Sequence, residues 1–300
     1  MAFFLPARFM AAFPGVLGLA MLVGSAVAED SARGVTPNLR EDAATQAAIE
    51  TALPPAFVWL ADFPEADLRF DAAVLLHGVR GSFASPRLDE AWRRARHQAG
   101  RDPDHPHHRF FDPTAPTEEA AIGAWSPPAP GGPRVNPNRV LSEAFHCDRR
   151  GWLAGVSEYA CGPMRDSGGY HTTHALLALS EAHRRGCLSG GVGDCRASLR
   201  AEVLAAQPAV LAPGQTLDID IFAERMMVLL RDGWCGPESR AMVNQLLAAQ
   251  RPDGSFSVEV ADEPAYYAYH ATATSLWALA EYRRARVGCT GSSGARKAQD

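Results

Sequence analysis

The chain has 300 residues, 47% of them hydrophobic and 21% charged, so it is long enough and apolar enough to bury a large core. This composition excludes a disordered tail, a collagen-like fibre and a very small disulfide scaffold. The formal net charge is −5, and no basic stripe alternates with aromatic residues, which argues against a nucleic-acid partner.

Residues 1–28 have the features of a signal peptide. Arg8 supplies a positive charge, residues 9–24 are mostly apolar, and Ala26-Val27-Ala28 forms a small-x-small cleavage site. An uncleaved membrane anchor is the alternative interpretation. No later stretch approaches the ~18 consecutive apolar residues that a spanning helix needs. We therefore expect a secreted or periplasmic protein, whose contact with the membrane is limited to this segment if it stays uncleaved.

The cysteines fit an exported protein. All six follow the signal segment, and no CxxC spacing occurs, so disulfides are favoured over zinc thiolates. Six cysteines can pair in fifteen ways. Pairing of sequence neighbours is the preferred prediction, with Cys147–Cys161, Cys187–Cys195 and Cys235–Cys289 as the three bonds.

The sequence pattern after the signal segment predicts helical hairpins, followed by an irregular insertion. Residues 29–99 contain an amphipathic helix at 41–52 and a more apolar one at 67–77. Residues 100–137 contain nine prolines and no periodicity, which is typical of a linker or a lid, and the aromatic residues in it favour a lid. Its histidine run, His105-Pro106-His107-His108, is expected to be incidental, with a metal site as the alternative.

An internal repeat dominates residues 138–288. The apolar segment that begins at Tyr170 recurs one hundred residues later at Tyr269-His270, and a third segment of this kind begins at Asp218. More amphipathic helices, predicted at 140–145, 196–206 and 238–250, precede these three segments. Apolar helices that alternate with one-sided helices indicate an inner layer covered by an outer layer. The sequence therefore predicts an all-α fold, an α/α toroid or an open arc of helical hairpins, with a flexible tail at 289–300.

One turn of this repeat resembles a known superfamily. The turn Gln250-Arg251-Pro252-Asp253-Gly254-Ser255-Phe256, followed by Tyr269-His270, resembles the repeat of terpenoid cyclases and protein prenyltransferases. The segment Asp166-Ser167-Gly168-Gly169-Tyr170 looks like a degenerate copy of that turn. The resemblance covers residues 138–286 and implies the toroid fold more than any activity, because that architecture also serves polysaccharide lyases and other enzymes.

The same resemblance implies a metal site where the inner helices begin. Protein prenyltransferases hold zinc with an Asp-x-Cys and a later His, and here Asp218 matches the Asp and His270 the His, while Asp220 replaces the Cys. Such a set suits one divalent metal, zinc first, with His171 and His174 as further ligands. The alternative is that the carboxylates cap a helix and that the histidines are bonded to backbone groups.

Two classes of function remain open. The first is an exported enzyme, metal-dependent or lyase-like, that acts on an extended substrate such as a polysaccharide, with His270, Tyr269 and His171 as catalytic residues. The second is a non-catalytic module whose repeats capture a glycan or a peptide. The residues do not identify the ligand beyond a small molecule or a glycan.

Overall fold

The computed structural model describes residues 37–102, 104–115, 125, 136–188, 192–207, 218–257 and 265–292, with side chains between 42 and 285. Contacts divide the chain into one unit over residues 1–40 and a second over 41–300, and all side chains discussed below belong to the second. The predicted signal segment and much of the proline-rich insertion lie outside the described residues.

The described residues form α-helices and no β-strand, which confirms the all-α prediction. None of these helices is long and apolar enough to cross a membrane. In chain order they are α1 (Pro37–Asp62), α2 (Asp71–Arg80), α3 (Pro86–Ala99), α4 (His108–Phe111), α5 (Pro137–Arg150), α6 (Ala154–Tyr159, continued by a π-helical turn at Ala160–Met164 and a last turn at Arg165–Ser167), α7 (Gly169–Arg184), α8 (Val192–Ala205), α9 (Ile219–Arg231), α10 (Ser239–Ala248) and α11 (Ala265–Ser292). The end of α11 takes in the first residues of the predicted flexible tail.

The three apolar segments of the sequence repeat are α7, α9 and α11, close to the predicted starting points. Their central leucines, Leu176, Leu229 and Leu276, are completely buried. Burying a leucine side chain contributes roughly 1.5–3 kcal/mol, so apolar residues on all sides drive these helices into the interior. The prediction that these three helices belong to the inside of the fold is confirmed.

The helix contacts run in a cycle. Helix α2 packs on α11, α11 on α9, α9 on α7, and α7 on α5. The short helix α4 contacts both α5 and α2 and so completes the cycle. Helices α3, α8 and α10 pack against members of the cycle. The contacts thus connect six described helices in cyclic order.

Helix α5 corrects one sequence prediction. Its 140–145 segment was expected to be an outer, one-sided helix, yet both of its faces are buried and it contributes to the central cavity. Polar side chains of this helix have charged or backbone partners inside the protein. Glu143 is paired with Arg139 at 2.8 Å and with Arg150, and His146 Nε2 donates to Pro106 O at 2.6 Å.

The turn between α10 and α11 is anchored to α1. Gln250 Nε2 donates to Ala52 O at 2.8 Å and to Gly254 O at 3.1 Å. Asp253 accepts hydrogen bonds from the backbone and the hydroxyl of Ser255. Phe256 is fully buried. The last hairpin of the described chain is thereby joined to the first helix.

Disulfides are present, but two of the three predicted pairs, Cys147–Cys161 and Cys187–Cys195, are wrong. The bonds are Cys147–Cys187 and Cys161–Cys195, with Cα–Cα distances of 5.9 and 5.8 Å. They follow helix packing, because α5 lies on α7 and α8 lies on the π-helical turn that holds Cys161. Cys235 is also disulfide-bonded, while the side chain of its predicted partner, Cys289, lies outside the described part of the chain.

The described part of the insertion packs onto the helices, as a lid would. His107 Nε2 donates to Asn138 O at 3.0 Å, and the ring of His105 stacks on Phe70 with centroids 3.6 Å apart. Arg109, 1% exposed, forms a bidentate pair with Asp148 at 2.9 and 3.0 Å. The histidines of this segment are therefore structural: they stack and bond to backbone groups.

Candidate functional site

The apolar helices line a cavity that is partly open to solvent, and its empty space, with the open part included, is about 600 Å³. Helices α2, α5, α7, α9 and α11 all contribute to its wall, and one further side chain comes from the insertion. The lining residues are Asp71, Val74, Leu75, His107, Asn138, Leu141, Phe145, Tyr170, His174, Leu177, Glu224, Met227, His270, Thr274 and Trp277.

The wall repeats the sequence period of fifty residues. Leu177, Met227 and Trp277 occupy equivalent positions on α7, α9 and α11. Lining positions on one helix are four or three residues apart, because such residues lie on the same helical face. The period therefore predicts which side chains meet: a residue on α9 faces partners fifty residues before and after it.

The first contact between residues fifty positions apart joins α9 to α11. His270 Nδ1 lies 2.7 Å from Asp220 Oδ1. Burial by itself would lower the pKa of His270, but the hydrogen bond and charge of Asp220, together with Asp71 and Glu224, raise that pKa to about 9. His270 is therefore an imidazolium at neutral pH.

The second meeting joins α9 to α7. His174 Nδ1 lies 2.9 Å from Glu224 Oε1 and 3.1 Å from Tyr170 O. Both partners are acceptors, so Nδ1 carries the proton, and Nε2 is the basic nitrogen of the neutral ring. Glu224 is 4% exposed, and its second oxygen, Oε2, is buried without a hydrogen-bond partner.

The third carboxylate of the cavity is Asp71 on α2. It accepts a hydrogen bond from the hydroxyl of Tyr266, whose pKa is raised by burial and by the charge of Asp71. Arg69 lies over the ring of Tyr266, with its guanidinium carbon 4.5 Å from the centroid. The hydroxyl of Tyr266 therefore keeps its proton and donates it in a hydrogen bond to Asp71.

The field inside the cavity is negative. Burial and the charges of Glu224, Asp220 and Asp71 all raise the pKa of Tyr170, whose ring lies at the cavity. His107, the histidine from the insertion, has a pKa lowered to about 4 by burial and is neutral at pH 7. Three carboxylates therefore surround one imidazolium.

A buried ion-pair group lies deeper along the same helices. Arg231 of α9 binds Glu281 of α11, with Nη1 2.7 Å from Oε1, and also binds Glu181 of α7. Glu281 accepts a further bond from the indole nitrogen of Trp277 at 2.9 Å. This group fixes the orientation of Trp277, whose ring forms part of the cavity wall.

The predicted metal ligands do not form a metal site. Within the described ranges, no group of three or more His, Cys, Asp or Glu side chains is arranged to hold a metal ion. Asp218 caps α9 by accepting from Ile221 N at 3.3 Å. Asp220 is bonded to His270, and His174 to Glu224. Within the described residues, these side chains are therefore not grouped as ligands of one metal ion.

The predicted catalytic residues are only partly brought together. His270 lines the cavity, but His171 is half-buried and is not part of the lining described here. Tyr269 is fully buried on the other side of α11, with its ring 4.8 Å from Phe63 and 6.5 Å from Trp59. Tyr269 therefore packs α11 onto the α1 region and does not face the cavity.

The sequence interpretation missed Glu224, the carboxylate that orients His174. A signal was present, because Glu224 lies fifty residues after His174 and one helical turn after Asp220.

No known protein family, curated protein or solved structure matches this chain.

Proposed function

We propose that this chain is an exported enzyme that cleaves a glycan by general acid–base catalysis, with His174 as the base and His270 as the acid. One observation carries the proposal. Helix α9 presents Asp220 and Glu224 one turn apart, and each carboxylate fixes the Nδ1 of a histidine on a flanking helix that faces the same cavity.

The two histidines have complementary roles in the proposed reaction. His174, with its Nδ1 proton held by Glu224, presents Nε2 to take a proton from a water or from a sugar carbon. His270, with a pKa of about 9, keeps a proton that it can give to the departing glycosidic oxygen. Hydrolysis and elimination both need one group of each kind, and a well-placed group typically contributes 10²–10⁴-fold to the rate.

The cavity wall suits sugar rings. Phe145, Tyr170 and Trp277 provide aromatic surface, and Asn138 and the carboxylates provide partners for hydroxyl groups. A second pocket, whose empty space of about 960 Å³ includes its part open to solvent, shares Asp71, His107 and Asn138 with the first. Two adjoining pockets suit neighbouring sugar units of an extended substrate.

Export and the toroid architecture complete the proposal. The N-terminal segment has the pattern of a signal peptide, and the two described disulfides belong in an oxidising compartment. The cyclic order of helix contacts and the anchored turn at 250–256 support an α/α toroid of the kind found in terpenoid cyclases and protein prenyltransferases.

The test is turnover of a panel of neutral, amino and uronic polysaccharides by the mature protein. New reducing ends alone indicate hydrolysis, and ultraviolet absorbance of an unsaturated sugar indicates elimination. We expect His174→Gln and His270→Gln each to lower kcat/KM by about 10²-fold or more. His183→Gln, an exposed histidine at the far end of α7, is the matched control. Binding without turnover, or full activity in both cavity variants, would show that the protein is a binding module or that other residues do the chemistry.

A further inference from the structure

We infer that the cavity selects a ligand that carries a free, positively charged amino group, as in a de-acetylated amino sugar, and that Glu224 binds that group. This inference rests on the proposed function for the glycan itself, but the recognition of the amine follows from the cavity alone.

The first argument is charge. Asp71, Asp220 and Glu224 bring three negative charges to the site, and His270 returns one positive charge. Asp71 is bonded to the neutral hydroxyl of Tyr266, so its charge is not cancelled there. A ligand with an ammonium group would complete the neutralisation, whereas a ligand carboxylate would be repelled by all three.

The second argument is the unused oxygen of Glu224. Its Oε1 is bonded to His174, while Oε2 is buried and has no hydrogen-bond partner. A buried carboxylate oxygen without a partner is costly, and an ammonium group with its three donors would satisfy it by a charge-assisted bond. Glu224 is one of the residues that line the cavity.

The third argument is the aromatic ring beside it. One side of Tyr170 lies against His174, with ring centroids 3.8 Å apart, yet Tyr170 is 41% exposed. An aromatic face within about 6 Å of an ammonium group attracts it, by ~0.5–1 kcal/mol at exposed sites. The same ring can therefore guide the amine towards Glu224.

Positive side chains are placed where they do not compete. Arg69 and Arg139 line only the second pocket. Arg69 lies over Tyr266, and Arg139 is paired with Glu143 at 2.8 Å. The first cavity therefore has His270 as its cation, and that cation is held by Asp220.

The experiment compares binding of three oligosaccharides of equal length by calorimetry at pH 7 and low salt: glucosamine, N-acetylglucosamine and glucose oligomers. We expect the glucosamine oligomer to bind about tenfold tighter or more than the other two. In Glu224→Gln this preference should fall by about tenfold, while affinity for the glucose oligomer changes little. Glu202→Gln, an exposed residue on α8, is the control and should keep the preference.

Circular dichroism establishes that Glu224→Gln is folded, and Asp71→Asn provides a second variant that should weaken the same preference. Equal affinity for the free and acetylated amines, or a preference that survives in both variants, would overturn the inference. Amine-selective binding without cleavage would leave the inference standing and remove the proposed enzyme. Cleavage of glycans with no preference for the amine would support the proposed enzyme and overturn the inference about the amine.

Discussion

Glu181 and Glu281, one hundred residues apart in the sequence, bind the same guanidinium group, that of Arg231. Arg231 is fifty residues from each of them, and all three side chains are at most 10% exposed. Residues that are fifty positions apart in the sequence are thus in contact in the structure. Equivalent positions on α7, α9 and α11 surround one buried charge. This group ties together the C-terminal part of α7, the end of α9 and the middle of α11.

Replacement of Arg231 by Met is expected to be strongly destabilising. It would leave Glu181 and Glu281 buried without their shared cation, and breaking a buried pair in this way costs about 3–5 kcal/mol. Urea denaturation at pH 7 measures the loss. The control is Arg283→Met, since its ion pair with Glu50 is about half exposed on both sides and contributes at most ~1 kcal/mol. Similar losses in the two variants would mean that the buried group does not hold the helices together.

The disulfide pairing offers a second test. Peptide mapping of the non-reduced protein should yield linked peptides for Cys147–Cys187 and Cys161–Cys195, with none for Cys147–Cys161 or Cys187–Cys195. The 161–195 bond closes a 34-residue loop, and loop-closure entropy assigns it about 3–4 kcal/mol. The double variant Cys161→Ala/Cys195→Ala should lose roughly that much stability in thermal denaturation. A loss within error of zero would indicate that the helices alone fix this region.

The repeat made much of the fold predictable, because apolar residues on every side of a helix can only be satisfied in an interior. The sequence pattern did not predict that α5 is buried on both faces. Its Glu143 is accommodated inside by Arg139 and Arg150, and no local pattern reports partners of this kind. Disulfide pairing failed for a related reason, since Cys147 and Cys187 meet only through the packing of α5 on α7.

At the site, the sequence predicted ligands of one metal ion and did not predict that carboxylates would pair with histidines. Asp220, His174 and His270 were predicted as metal ligands, and the structure places them in two carboxylate–histidine pairs instead. Family resemblance suggested the metal. The fifty-residue offset, applied to His174, would have indicated Glu224. Tyr269 was predicted to be catalytic, but its ring packs near Phe63 and Trp59. The rotation of a helix about its axis depends on its neighbours, so the sequence alone did not show which way this side chain points.

The raised pKa of His270 predicts that the stability of the folded protein decreases at alkaline pH. Its pKa is about 9 in the folded protein and ~6.5 in an unfolded chain, so its contribution to stability is complete below pH ~6.5 and is lost as pH rises through about 9. In Asp220→Asn, burial is opposed only by the more distant Asp71 and Glu224, and the pKa should fall well below 9. Proton NMR titration of the imidazole measures it directly. A pKa near 9 in the variant would show that Asp220 is not the controlling charge.

An acid-side prediction concerns His107 in the insertion. Burial lowers its pKa to about 4, so between pH ~6.5 and 4 the unfolded chain binds more protons and stability falls as pH falls. His107→Gln can keep a donor for Asn138 O but does not titrate, so its thermal midpoint should fall less steeply over this range. His183→Gln, at an exposed position, should follow the unmodified protein. Parallel curves for all three proteins would contradict the assignment.

Gly254 provides the most direct test of how the last hairpin is joined to the first helix. The residue has φ +94°, in the left-handed region that favours glycine, and a Cβ there would lie against the carbonyl of Pro55 in α1, far inside van der Waals contact. Gly254→Ala must therefore strain the turn or push α1 away, which also weakens the bond from Gln250 to Ala52 O. We expect a loss of about 1–3 kcal/mol from the backbone strain, plus the cost of the displaced contact.

The matched substitution is Gly193→Ala in α8, where φ is not positive and a Cβ would meet open space. Alanine is the better helix former by up to ~1 kcal/mol, so this variant should be neutral or more stable. Hydrogen exchange adds a local readout, because amides of α1 near Ala52 and Pro55 should lose protection in Gly254→Ala before those of α7 do. If both substitutions leave stability and α1 protection unchanged, the turn does not hold α1 in place.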